Sequence, residues 1–384
     1  MALSYKTPGV YREEIFLKPE TLLPTGVPGF VGFADEGSGG GPLFNRPVVL
    51  HRKEDFATHF SSRPESYLAD VVSGFFDNGG VRCFVVRADP SGDRRAALER
   101  AIDALAPLTD LDLVAAPDAM SLRLPDGKPD VSAIDQAQRK LLFHCTELGN
   151  RLALLDALLE RTTAGVLAQR DSLTVGQAEP VNGALYYPWL HTVSGRLVPP
   201  CGQVAGIFAR TDARVGVFKA PANEEVFGVL DLETNIDNSI QDQLNPAGVN
   251  CLRAFPGRGI RVWGARTLSR DPNWRYVNVR RLFLTLRRWI DLNMAWAAFE
   301  PNEPRLWVRI QRELTTYLTK LLRDGALQGT TPQQAFYVKC DVETNSRVLR
   351  EVGQVVTEIG LAPLVPAEFI VVRITHRPGA TEVN

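Results

Sequence analysis

Cysteine is scarce: five in 384 residues, at Cys83, Cys145, Cys201, Cys251 and Cys340, an odd number, widely spaced and without a C-x-x-C pair. That usage argues against a disulfide framework and reads as reduced, buried thiols of a cytosolic protein. Histidine is equally sparse. His51, His59, His144, His191 and His376 are dispersed with no metal-ligand spacing, so structural roles are expected of them. Neither sign of charge is in excess: 43 basic against 44 acidic side chains leave a net charge of −1, unlike a dedicated nucleic-acid binder. No apolar run approaches the length of a membrane span, and the opening MALSYKTPGVYREEI lacks the hydrophobic core of a signal peptide. G-x-x-x-x-G-K-[ST], G-x-S-x-G, H-E-x-x-H and the Asn-x-Ser/Thr sequon are all missing. These absences predict a protein made in a cytoplasm, with no catalytic, cofactor-binding or metal-binding residues and no direct contact with nucleic acid or membrane.

What is present is a chain with 45% hydrophobic residues, enough for a sizeable core and for two or three domains. Residues 1–22 read as an extended arm, punctuated by Pro8-Gly9 and Pro19, with strand content only at Val10 to Phe16. An α/β alternation follows. Strands are expected at Phe30 to Ala34, Val81 to Arg87, Asp112 to Ala116 and Leu152 to Leu155. Helices are expected at Tyr67 to Asn78, Arg94 to Leu105 and Ser132 to Glu147. Asp171 to Ala178 reads as lying near a strand, and Tyr186-Tyr187-Pro188-Trp189 as an edge or loop. Pro199 to Arg210 reads as a turn and a helix. After a turn-rich stretch with one strand, Asn245 to Ser269, long helices are predicted at Val279 to Phe299 and Glu303 to Arg323. Strands follow at Phe336 to Asp341 and in EFIVVRITHR, Glu368 to Arg377. The fold class is therefore α/β, mixed in character.

Three features invite a chemical reading. EGSGGGP, Glu36 to Pro42, has neither the Lys nor the helix start of a phosphate loop, and reads as a flexible connection. Carboxylates pair at Glu224-Glu225, Asp231/Glu233 and Asp341/Glu343, which suits either acid–base work or solvated faces and caps. FPGRGIRVWGARTLS, Phe255 to Ser269, interleaves Gly257, Gly259 and Gly264 with Arg258, Arg261 and Arg266. In a dinucleotide fold the glycines come between a strand and the helix they open. Here they precede the strand Ile260 to Trp263, and no helix begins until about Val277. The glycines are expected at turn and close-packing positions, with the arginines meeting acidic partners.

Several longer runs are specific. LNPAGVNCLRAFPGRGIRVWGARTLSRDPNWRYVNVRRLF (Leu244 to Phe283), FEPNEPRLW (Phe299 to Trp307) and GALQGTTPQQAFYVKCDVETN (Gly325 to Asn345) resemble contractile tail sheath proteins. That family occurs in phages, R-type bacteriocins and extracellular contractile injection systems. GLAPLVPAEFIVVRI (Gly360 to Ile374) and KTPGVYREEI (Lys6 to Ile15) resemble its two ends, and VPPCGQVAGIFARTD (Val198 to Asp212) and FKAPAN (Phe218 to Asn223) further segments. The similarity runs the whole length, densest after residue 185, and the length suits the compact sheaths. Two departures are Arg287-Arg288, where acidic residues are common, and Cys201, where a small hydroxyl residue is common.

The resemblance implies a non-enzymatic structural subunit that polymerises helically around an inner tube and contracts to drive it through a target envelope. It implies no cofactor. Its partners would be other copies of itself, the tube protein, and baseplate and terminal cap proteins. The product would be a phage tail or tail-like particle that is assembled in the cytoplasm and can be released. Four regions are implied: an arm, 1–22; an outer α/β domain, 23–250; an inner sheath domain, 251–364; and a C-terminal arm, 365–384. The alternative is a cytosolic α/β enzyme with an unrecognised site. Residues Val10, Tyr11, Arg12, Glu13 and Ile15, with Phe369, Ile370, Val371, Val372 and Ile374, would be intersubunit arm strands, since an unpaired strand can add to a neighbour's sheet edge. On the helix from Glu303, Leu306, Ile310, Leu314, Tyr317 and Leu321 share one side at about 100° per residue. Arg305, Arg309, Arg312, Lys320 and Arg323 share the other, either a solvated basic face or, as the resemblance implies, the face toward the tube.

Overall fold

Eight strands form the central sheet of the protein in its computed structural model, which describes residues 23–38, 44–159 and 162–368. They are β1 (Pro28–Gly32), β2 (Pro47–Leu50), β3 (Cys83–Arg87), β4 (Leu113–Ala115), β5 (Leu152–Asp156), β6 (Gly183–Tyr187), β7 (Val249–Phe255) and β8 (Gly259–Val262). Across the sheet the order is β8-β7-β6-β5-β4-β1-β3-β2. All neighbours from β7 to β3 run parallel, and the edge strands β2 and β8 are antiparallel. A parallel sheet needs cover on both faces, and the period-two alternation of its strands supplies two apolar surfaces. Phe30, Val85, Leu113, Leu154 and Ala184 enter one core, whereas Val31, Val86, Val114, Leu155 and Leu185 enter the other.

Helices α1 (Leu68–Asp77) and α5 (Cys201–Arg214) cover the first face, through Val71, Val72 and Phe75 and through Val204, Ile207 and Phe208. They approach closely because α5 turns glycine toward α1: a Cβ on Gly202 would lie 2.3 Å from the Val71 carbonyl oxygen, and one on Gly206 2.4 Å from that of Phe75. Helices α2 (Arg94–Asp103), α3 (Val131–Leu148) and α4 (Thr163–Thr174) cover the second face. Their starts are capped by the side chains of Asp93, Asp130 and Thr162, which accept from backbone N–H groups of the first turn.

Beyond the sheet lies a helical unit. Helix α6 (Val277–Asn293) places Val277 and Leu284 in the first core of the body, and Leu282 and Leu286 in a separate cluster with Leu318 and Leu321 of α7 (Pro304–Arg323). Trp289 stacks on Tyr317 at 4.1 Å and 12°, joining the two helices. Against α7 lies an antiparallel ribbon of β9 (Phe336–Lys339) and β10 (Glu358–Leu361), whose Phe336, Val338, Ile359 and Leu361 face the helices.

The mixed α/β class expected from the sequence is what forms. Three local expectations differ. Tyr186 and Tyr187 do not lie at an edge: they end β6, paired on both sides, with one ring in each core, and Pro188 follows the strand instead of interrupting it. The stretch from Asp171 completes helix α4 and is not strand-associated. The segment from Asn245 carries two strands, β7 and β8, where the sequence predicts one.

Candidate functional site

The residues that invite a chemical reading sit in buried or ion-paired settings. The five cysteines are buried and unpaired, and burial pushes the Cys145 and Cys251 thiols up to about 12, away from thiolate chemistry. His144 is buried with Arg151 3.4 Å away, and burial followed by that positive charge holds it down to about 4. Two of the three carboxylate pairs make local ion pairs and turn contacts. Glu224 meets Arg214, Glu225 lies 3.9 Å from Arg261, and Asp341 accepts from the Glu343 and Thr344 N–H groups while Glu343 pairs with Lys339. Among the described residues there is no group of three or more potential metal ligands.

An open α/β sheet ordinarily binds ligands outside the carboxyl ends of its strands, where strand order reverses. Here that place, beyond β1 and β4, is filled by the chain itself. Asp118 is fully buried and accepts from Phe33 N–H (2.6 Å), Tyr67 N–H (2.6 Å) and Ser66 Oγ (2.7 Å). Asp156, at the end of β5, accepts from Cys201 N–H at 2.9 Å, at the start of α5. Burial raises Asp118 to about 6 and Asp156 to about 7, partly offset by those donors. The departure at Cys201 is thus at a position where either a thiol or a hydroxyl can meet Asp156.

The glycine–arginine stretch is a hairpin. Phe255 opposes Gly259, and Gly257 and Gly259 take the positive φ values, +70° and +71°, that its turn requires. Arg258 donates to Asn223 Oδ1 (2.9 Å) and Arg261 to the Asn223 carbonyl (2.8 Å), tying β8 to the segment beside it. Arg266 donates through Nε to Glu368 (3.0 Å) and also pairs with it through Nη2. The chain's last described residue is therefore held at the body.

Helix α6 holds the other root as well. Arg281, 2% exposed, donates to Asp212 through both terminal nitrogens (2.8 and 2.6 Å) and to Asp112 (2.8 Å). Burial disfavours its charge, yet Asp212 and Asp112 together outweigh that and raise its proton affinity. Asp112 in turn accepts from Gly26 N–H (3.1 Å) and Val27 N–H (2.7 Å), where the described chain begins. Arg288 donates to the carbonyls of Pro24 (2.9 Å) and Thr109 (3.3 Å), and Asn278 to that of Leu364 (3.1 Å). One helix thus anchors the chain just inside both terminal segments. The sequence singles out Arg287 and Arg288 as a departure from the family and as an alternative place for the tube contact. Arg288 is buried in this anchor and Arg287 is exposed.

The ten candidate arm residues, from Val10 to Ile15 and Phe369 to Ile374, lie outside the described residues. The basic candidates are described. Leu306, Ile310, Leu314 and Leu321 are buried and Tyr317 half-buried, while Arg305, Arg309, Arg312, Lys320 and Arg323 are all exposed on α7. They are not equivalent. Arg309 lies 3.6 Å above the Trp296 ring and 3.4 Å from Glu313, which accepts from Trp296 Nε1 at 2.8 Å.

Comparison with known proteins identifies the family. Residues 149–268 match the phage tail sheath protein central domain and residues 269–377 the phage tail sheath C-terminal domain, together more than half of the chain. The chain belongs to the phage tail sheath protein family. A putative prophage major tail sheath protein of Pseudomonas aeruginosa (strain UCBPP-PA14) is 28% identical over 46% of this chain and 45% of its own length. The tail sheath protein of Vibrio phage KVP40 is 27% identical over 46% of this chain and 26% of its own. The chain thus spans less than half the length of these relatives. Solved structures match more fully. A chain of the anti-feeding prophage (AFP) baseplate is 28% identical, with a TM-score of 0.78, over 97% of this chain and 100% of that one. The AFP helical sheath in its contracted state gives 28% and 0.76, over 97% and 99%. The PVC sheath complex of an extracellular contractile injection system, also contracted, gives 29% and 0.74, over 97% and 98%.

Proposed function

We propose that this chain is the structural subunit of a contractile sheath, which polymerises helically around an inner tube and shortens to drive the tube through a target envelope. The observation that carries the reading is the near full-length match to chains of contracted sheath complexes. The work requires no chemistry, only two packings of one subunit set that differ in free energy, with the difference stored at assembly. An interface that propagates helically instead of closing on itself supplies the polymer. Baseplate and terminal cap proteins bound the polymer at its two ends. The particle is assembled in the cytoplasm and released as part of a tail-like device.

Within this reading residues 1–22 and 365–384 are arms exchanged between copies. Their strands, Val10 to Ile15 and Phe369 to Ile374, add to a neighbour's sheet edge, and the β9–β10 ribbon, two-stranded within the described residues, is a suitable acceptor. The anchoring of both arm roots to α6 supports this, because an arm can transmit force only from a fixed root. The α/β body faces outward, and the basic face of α7 meets an acidic stripe on the tube. Deleting residues 1–16 or 366–384 is expected to leave a folded subunit that forms no tubes, checked by circular dichroism and negative-stain microscopy. Normal sheaths from either truncation would contradict the arm assignment, and absence of tubes from the intact chain would contradict the sheath reading itself.

A further inference from the structure

The helical unit ends in a surface that the fold leaves uncovered. Phe299, in the loop between α6 and α7, is fully exposed and has φ of +67°, a left-handed conformation that a bulky side chain rarely adopts. The loop is nonetheless rigidly tied. Asn302 Nδ2 donates to the Gln354 carbonyl (2.8 Å), and Trp307 Nε1 donates to Asn302 Oδ1 (2.9 Å). Gln354 belongs to the excursion connecting β9 to β10, which is closed at its base by buried Asn345: its amide donates to the Val356 carbonyl (3.0 Å) and accepts from Val356 N–H (2.7 Å). On this excursion Val348 and Val352 are 68% and 65% exposed. Internal hydrogen bonds therefore hold a protruding apolar surface in place while contributing nothing to its cover.

The surface's charge indicates what covers it. Arg347 pairs with Glu351 (2.7 Å), which leaves Arg350, exposed beside the two valines and 5.9 Å from the centre of the Trp307 ring, without an ion pair among the described residues. A second exposed apolar patch lies on the α/β body. Val193, Phe227 and Leu230 are all exposed there, Phe227 with the Arg210 guanidinium 4.6 Å from its ring centre, and Val193 N–H donates to the Gly228 carbonyl at 3.2 Å. Beside them Asp231 is exposed and likewise has no ion pair among the described residues. The two patches match in apolar character and carry opposite spare charges. They are also different patches, so joining them makes a head-to-tail contact, the kind that builds rings and helical filaments.

We infer that Phe299, Val348 and Val352 of one subunit dock on Val193, Phe227 and Leu230 of a second copy of this chain, with Arg350 meeting Asp231. The inference rests on the sheath reading and names one of its subunit contacts. It is tested by the concentration at which purified subunits form tubes, for the intact chain, Phe299→Gly, Val348→Lys with Val352→Lys, and Leu230→Lys. All variants are expected to fold, and Phe299→Gly to melt no lower than the intact chain, because glycine tolerates the positive φ. Each is expected to raise the critical concentration at least about tenfold, as loss of a buried interface anchor does. A Val348→Cys, Leu230→Cys variant is expected to cross-link between subunits into a ladder. Assembly at the unaltered concentration, normal behaviour of Leu230→Lys beside failing partners, or tubes that form normally but fail only to hold an inner tube, would overturn the docking. If the intact chain itself forms no tubes, the sheath reading falls instead.

Discussion

The α/β body and the helical unit solve the burial problem differently. The body covers both faces of its sheet with helices, so that Phe30, Val31, Val85, Val86, Leu113 and Val114 are all completely buried. The helical unit spreads its apolar residues over two small clusters and leaves Phe299, Val308, Tyr337, Val342, Val348 and Val352 exposed. Its ribbon offers strand edges, whereas β8, one of the body's two edge strands, is covered by the segment beside it: the Asn223 and Val226 N–H groups donate to the Val262 and Ile260 carbonyls, and Val262 N–H donates to the Glu224 carbonyl. The body also leaves apolar side chains exposed, among them Val193, Phe227 and Leu230, but they lie outside a large two-sided core, whereas those of the helical unit flank two small clusters. Exposed apolar groups of this kind mark contact surfaces.

The comparison can be broken most severely at Arg281, where the two regions share one buried ion network. Arg281→Met leaves Asp112 and Asp212 buried without their counter-charge and is expected to cost about 3–5 kcal/mol in denaturant unfolding. It should also loosen the N-terminal arm root at Gly26 and Val27. Next in size is a contrast within one experiment: Leu154→Ala in the body is expected to cost about 2–5 kcal/mol, whereas Val348→Ala stays within about 0.5 kcal/mol and lowers assembly alone. A loss of several kcal/mol at Val348 would show that the helical unit is self-sufficient.

A smaller effect comes from the two buried carboxylates. Asp118 at about 6 and Asp156 at about 7 bind protons more tightly in the folded body than in an unfolded chain, where aspartate titrates near 3.9. Their contribution to stability therefore grows as pH falls from 8 toward 5 and levels off below about pH 4. Thermal melts are expected to rise by a few degrees over that span, and Asp156→Asn to flatten the profile. The smallest effect on stability is expected from reversing Arg309, Arg312 and Lys320 to Glu on the exposed face of α7, within about 1 kcal/mol overall. Extended sheaths on tubes should nevertheless be lost. If that variant still coats tubes to full length, the basic face of α7 is not where the tube is held.

Much of the body was legible because its elements carry local signals. The apolar period of Leu68–Asp77 and Val131–Leu148 and the dense run Cys83–Arg87 predict their elements directly. So do Gly257 and Gly259 at a turn before a strand. The misreadings arose where local and long-range signals disagree. Tyr186 and Tyr187 look like edge residues beside a proline, but their environment is set by β5 and β7, and β7 lies more than 60 residues away along the chain. The threonines of Thr163–Thr174 weaken a helix signal that the Thr162 cap and the underlying core restore. Least legible was the anchor on α6. Arg281 reads as one charge in an arginine-rich helix until the fold brings Asp112, 169 residues away, and Asp212, 69 residues away, to its guanidinium. The exposed side of α7, by contrast, followed from period alone, since alternating apolar and basic positions on a 20-residue helix need no distant partner to be sorted.

The central claim, that this chain is a sheath subunit, is tested most directly by electron microscopy of the intact protein produced together with its tube protein. The account predicts hollow helical tubes in a long, narrow form around the inner tube and in a shorter, wider form after triggering. A stable small oligomer, with no tubular assembly under any condition that keeps the subunit folded, would contradict it.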